Sequence, residues 1–159
     1  MTARMASASA ALLAGLANIP SRAYTRTMSS PCYCTVLRAA MRRIAASYDA
    51  ALEPVGVNIA QFSLLRSVRR AEPLTLTELG RLTELDRSTI GRNVRVLERM
   101  GLLAVGRGKD QREATVTLTP DGHRVLDAGA PLWESVQGQI EARLGPDHAE
   151  SLRAALNVL

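Results

Sequence analysis

The stretch LTLTELGRLTELDRSTIGRNVRVLERMGLL, Leu74 to Leu103, decides how the rest of the chain is read. Its first half predicts a short helix, with Thr77 as N-cap and Leu79 and Leu82 turned inward. Asp86 or Ser88 then opens another. At 100° per residue, Ile90, Val94 and Leu97 fall on one narrow apolar stripe, and Ser88, Arg92, Arg95 and Arg99 lie roughly opposite, with Thr89 and Val96 on a flank. Gly101 supplies the residue that commonly follows a helix end. Two short helices joined by a tight turn result, the second with an arginine-rich outer face.

Downstream, LLAVGRGKDQREATVTLT (residues 102–119) reads as two strands joined by a basic turn, because Ala114, Val116 and Leu118 alternate with Thr115, Thr117 and Thr119. Thr119, Pro120 and Asp121 then give an N-cap, a proline at the first helical position and an acid in the first turn. A long helix follows through Leu126, Leu132, Val136 and Ile140, and Gly129 and Pro131 are expected to bend it. Gly145 and Pro146 close it, and a last helix carries Leu152, Ala155 and Leu156 on its apolar face. Upstream, Cys32 to Leu52 is a long amphipathic helix through Val36, Leu37, Ala40, Ile44, Tyr48 and Leu52. Pro54 and Gly56 interrupt the pattern, and Ile59 to Val68 resumes it. The fold class is therefore mainly α with a small β-hairpin wing: a winged helix-turn-helix at about 55–119, flanked by helices at about 31–54 and 120–159.

At 159 residues the chain is the size of one domain, and with 47% hydrophobic and 22% charged residues it has an ordinary globular composition. No apolar run approaches the roughly 20 residues of a membrane span, so no membrane partner is expected. Cys32, Cys34, His123 and His148 lack the paired spacing of a structural zinc site, and two cysteines make no disulfide framework. Residues 1–30 contain arginines and no acid; they suit a disordered extension, a targeting peptide, or a stretch ahead of a true start at Met28. The formal charge is +5. Its placement matters more than its size: Arg87, Arg92, Arg95, Arg99, Arg107, Lys109 and Arg112 face only Glu98 and Asp110 between residues 87 and 112. That is the densest basic segment that also reads as structured.

A helix with this face fits a DNA major groove, about 12 Å wide, where arginine offers a bidentate fork to guanine and Ser or Thr contacts base edges or phosphate. Arginines at the hairpin tip reach a neighbouring minor groove or phosphates. The predicted DNA-contacting residues are Arg87, Ser88, Thr89, Arg92, Asn93, Arg95, Arg99, Arg107, Lys109, Asp110 and Arg112. The plain alternative for the arginines is a solvated helix face, and for Asp110 and Arg112 a surface ion pair at a turn.

The order of elements, the helix-turn-helix through Leu103, the stretch GKDQREATVTLTPDGHRVL and the opening LRAAMRRIAASYDAALEPVGVNIAQFSLL together resemble the MarR family of bacterial transcriptional regulators over nearly all of Pro31 to Leu159. The resemblance implies that Asp110 orients Arg112 toward the minor groove while Ser88, Thr89, Arg92 and Arg95 face the major groove. It also implies a homodimer built on the N- and C-terminal helices, binding double-stranded DNA at a near-palindromic operator, most often as a cytoplasmic repressor. The long apolar stripes of those helices agree with such pairing.

Similar regulators release DNA when a small aromatic molecule enters a cleft between the dimer lobe and the DNA-binding lobe; Tyr33, Tyr48, Phe62 and Trp133 are the candidates for lining one, or else they are core. Cys32 and Cys34 sit at the start of the first helix, where the helix dipole lowers a thiol pKa, and oxidant-sensing members of the family carry a cysteine near this end. Either a redox switch or inert thiols are open here. No cofactor and no enzymatic activity are expected. The rivals are a thiol-based redox enzyme using Cys32 and Cys34, although CYC is not the C-x-x-C spacing, and a winged helix that binds protein rather than DNA.

Overall fold

A computed structural model describes residues 31–107 and 114–158. Helix α1 spans Tyr33–Leu52 and passes through a 3-10 turn, Glu53–Val55, to Gly56, whose φ of 73° lets the chain reverse. Helix α2, Ile59–Ala71, begins at a capping box: the Asn58 side chain accepts from the Gln61 N–H, and the Gln61 side chain accepts from the Asn58 N–H. Then come β1 (Leu74–Thr75), α3 (Leu76–Thr83), α4 (Arg87–Arg99), β2 (Leu103–Arg107), β3 (Ala114–Leu118), α5 (Pro120–Leu144) and α6 (Pro146–Leu156).

Three details differ from the sequence reading. Helix α3 is capped by Thr75 and not Thr77, because Glu78 stands three residues after Thr75 and returns its carboxylate to the Thr75 N–H. With the helix so framed, Leu76 and Leu79 face the core, and Leu82, about 60° beyond Leu79, is 58% exposed. The wing is not a bare hairpin. Leu74 and Thr75 pair antiparallel with Val116 and Thr115, giving a three-stranded sheet in the order β1-β3-β2. Helix α5 runs for 25 residues through Gly129 and Pro131, and Pro131, itself exposed, removes one backbone donor.

The largest fully buried side chains are Phe62, Leu52, Leu65, Leu79, Ile90, Leu97 and Leu126, drawn from α1 to α5. Each such burial contributes about 1.5–3 kcal/mol, so this cluster holds the helix-turn-helix, the sheet and the start of α5 as one body. The outer half of α1 and the face of α6 do not share it: Val36, Met41, Leu152 and Leu156 are exposed large hydrophobics. The carboxylate of Glu78 is held below its ordinary pKa mainly by the Thr75 N–H, then by the Thr75 hydroxyl. Because the Thr75 hydroxyl accepts from the Glu78 N–H as the N-cap, Thr75→Ala is expected to lower stability by about 1 kcal/mol, while Thr77→Ala shifts it by less than about 0.5 kcal/mol, read as urea midpoints at unchanged slope.

Candidate nucleic-acid interface

Helix α4 presents two unlike faces. Ile90, Val94 and Leu97 are buried as their spacing predicts, and Ser88, Arg92, Arg95 and Arg99 are exposed on the other side. From Ser88 to Arg99 the face runs about 16 Å, enough to lie along a groove. No α4 arginine is paired with a carboxylate among the described residues. Arg92 is steadied from its own helix, its Nε donating to the Ser88 carbonyl at 3.3 Å and its Nη2 to Ser88 Oγ at 3.1 Å. Arg87 and Thr89 flank this face. Asn93 is turned toward α2, lining a small cleft of about 200 Å³ with Asn58, Gln61 and Leu64.

Asp86 caps the helix. Its Oδ1 accepts from the Ser88 N–H (2.9 Å), the Ser88 hydroxyl (2.6 Å) and the Thr89 N–H (3.0 Å), and its Oδ2 accepts from the Thr89 hydroxyl (2.6 Å). The Ser88 hydroxyl, followed by the Thr89 hydroxyl, holds this carboxyl far below the usual carboxylate range.

The wing is fixed to α4 at its base. Gly101 has φ of 74°; its N–H donates to the Glu98 carbonyl and the Leu102 N–H to the Leu97 carbonyl, so α4 ends in a Schellman turn. The Thr119 hydroxyl donates to the Gly101 carbonyl at 2.6 Å and accepts from the Gly122 N–H at 3.0 Å. Glu72 accepts from the Leu118 N–H at 2.7 Å and faces His123 at 3.5 Å. The end of α4, the foot of the wing and the start of α5 thus move together. Arg107 pairs with Ala114 at the far end of the hairpin. The side chain of Arg107, and Lys109, Asp110 and Arg112 entirely, lie outside the described residues.

A second cluster joins α1, α2 and α5. Tyr48 stacks on Trp133 with ring centroids 6.2 Å apart, and the Arg66 guanidinium sits 4.0 Å over the Trp133 ring. Tyr48 donates its hydroxyl hydrogen to Gln137. Burial, then the Glu141 charge, raises the Tyr48 pKa; burial, then Arg70 and Arg69, lowers that of Arg66. Phe62 is core, lying against Gly129, where a Cβ would meet its ring. Tyr33, 80% exposed at the opposite end of α1, belongs to neither group. Arg66 and Gln137 were invisible in the sequence, since nothing in a helical arginine or glutamine tells which ring it will meet.

Cys32 and Cys34 are both free and exposed. Cys32 occupies the N-cap position of α1 without a formed side-chain cap; the N–H and then the hydroxyl of Thr35 keep its thiol pKa below the ordinary value.

A family model described as MarR family matches residues 55–113. An uncharacterised HTH-type transcriptional regulator of Bacillus subtilis, YwoH, is 31% identical over 83 residues, which cover 52% of this chain and 61% of that relative. The chain therefore spans less than two thirds of that relative's length. The crystal structure of the Mycobacterium tuberculosis transcriptional regulator MosR is 34% identical, with a TM-score of 0.69 over 81% of this chain and 93% of that one. The structure of the same regulator in complex with DNA gives 34% identity and a TM-score of 0.67, covering 80% of this chain and 98% of that one.

Proposed function

This chain belongs to the MarR family, and on that footing we propose that it is a transcriptional regulator that binds double-stranded DNA sequence-specifically as a homodimer. The observation that carries the reading is the outer face of α4, four residues with three arginines that pair with no carboxylate among the described residues, opposite a fully buried stripe and joined to a wing. Its supporting relative MosR has been solved in complex with DNA. Arg92 and Arg95 enter the major groove with Ser88 and Thr89, and Arg99 and Arg87 meet phosphate. Lys109, Asp110 and Arg112 complete the interface from the wing tip, and the commonest regulatory outcome is repression.

The dimer rests on the apolar surface that the monomer leaves open on α1 and α6, Val36, Met41, Leu152 and Leu156 among it. A two-fold pair places two α4 helices about one DNA turn apart and predicts an inverted-repeat operator. Release follows from a small aromatic ligand or from thiol oxidation. The Tyr48, Trp133 and Arg66 cluster supports the first, standing where the helices of the dimer lobe meet α2. The lowered thiol of Cys32, separated from Cys34 by a single residue, supports the second.

Selection of bound duplexes from a randomised pool is the test. Recovery of an inverted repeat with half-sites about 10 base pairs apart bears the proposal out, and recovery of no shared sequence refutes it. Met41→Glu combined with Leu152→Glu is expected to convert the dimer to a monomer in size-exclusion chromatography and to weaken operator binding by at least about tenfold, since each half-site then binds alone.

A further inference from the structure

The capping carboxylate of α4 does more than hold the helix. A carboxylate only accepts hydrogen bonds, so the contacts of 2.6 Å from Ser88 Oγ and Thr89 Oγ1 fix both hydroxyl hydrogens on Asp86. Each hydroxyl has one hydrogen and two lone pairs. With the hydrogen committed, what remains on either oxygen is acceptor capacity; Ser88 spends one lone pair on Arg92 and keeps one. Ser88 is exposed on the arginine face, and Thr89 is half-buried at its edge. The same carboxylate also takes the N–H groups of Ser88 and Thr89, which would otherwise attract a phosphate at a helix start.

Resting on the reading of this face as the DNA-contacting surface, we propose that Asp86 is a positioning residue that sets base preference: it presents Ser88 and Thr89 to the groove as acceptors only. Phosphate oxygens, guanine N7 and O6 and thymine O4 are themselves acceptors and find no hydrogen there. The amino groups of adenine N6 and cytosine N4 are the donors that the major groove offers. Arg92 presents the complementary polarity beside Ser88, so the pair reads an acceptor-rich guanine edge next to an amino group. Ser88 and Thr89 thereby become selective contacts instead of the backbone contacts that serine and threonine usually make.

The test uses the full chain and the preferred half-site recovered from a randomised duplex pool. At each half-site position bearing adenine or cytosine, the base is replaced by an analogue lacking its exocyclic amino group. The wild-type protein is expected to lose about 5- to 100-fold in affinity at one or two such positions. Asp86→Gly remains a tolerated N-cap but has no side-chain oxygen, so both hydroxyls are released, and the penalty at those positions is expected to shrink below about 3-fold. Asp86→Asn retains one acceptor oxygen, keeping the Ser88 position selective while the Thr89 position relaxes. Ser88→Ala, which leaves the cap in place, reads the same position independently of any effect on folding.

A merely structural role for Asp86 lowers affinity for every duplex by one common factor and leaves the ratio untouched. That outcome overturns the inference, as does a wild-type half-site insensitive to removal of every amino group. If the wild-type protein selects no sequence at all, the failure belongs to the DNA-binding proposal itself and takes this inference with it.

Discussion

Gly122→Ala is expected to destabilise the protein by about 2 kcal/mol, although alanine is the better helix former. Gly122 stands in the first turn of α5, where a Cβ would overlap the carbonyl oxygen of Leu102, with Leu118 Cδ2 at 3.0 Å and the Leu102 carbonyl carbon at 3.2 Å. The obstacle is backbone on one side and a core side chain on the other, and neither can rotate away. The intrinsic gain of at most about 1 kcal/mol for replacing glycine in a helix is smaller than the overpacking it would force. Because Gly122 donates its N–H to the Thr119 hydroxyl that ties α4 to the wing, the same shift displaces the wing and weakens DNA binding. Gly138→Ala is the control: nothing lies within 4 Å of its Cβ position in the same helix, so stabilisation by up to about 1 kcal/mol is expected. Urea denaturation at one protein concentration, fixed because the stability of the proposed dimer depends on it, separates the two.

The second large effect is functional. Arg92→Ala, Arg95→Ala and Arg99→Ala combined are expected to weaken operator binding by on the order of 10³-fold or more, and to lower the slope of log affinity against log salt by about 0.9 for each phosphate no longer neutralised. All three side chains project from the face opposite the buried stripe, so thermal unfolding is expected to move by no more than about 0.5 kcal/mol equivalent. Arg92→Ala alone relaxes discrimination at one base position by about 1–3 kcal/mol. A triple variant that binds operator as well as the wild type would remove α4 from the interface and favour a winged helix that binds protein.

What could be read in the sequence was local and periodic. Ile90, Val94 and Leu97 share a helix face by spacing alone, and all three are buried; Thr119 with Pro120 marks the start of α5 where the helix begins. The outer face of α4 follows from the same angles. Thr75 was also legible, since Glu78 at the third following position is a capping-box signal that the nearer Thr77 obscured. Strand β1 was not, because two residues are too short to show alternation and their partners, Val116 and Thr115, lie about 40 residues on. The stack of Arg66 on Trp133 is likewise a meeting of α2 with α5 that no local pattern records. At Asp86 the sequence predicts a helix start. That its carboxylate also holds two neighbouring hydroxyl hydrogens is visible only in the distances.

The most direct measurement is a titration of reduced, purified protein against a fluorescent duplex from upstream of its own gene, repeated across salt with a scrambled duplex as competitor. A sequence-reading regulator is expected to bind the upstream duplex at least about 10³-fold more tightly than the scrambled one, with affinity falling steeply as salt rises. Equal affinity for both duplexes, or no binding to either at low salt, would contradict the assignment of α4 and the wing to DNA recognition.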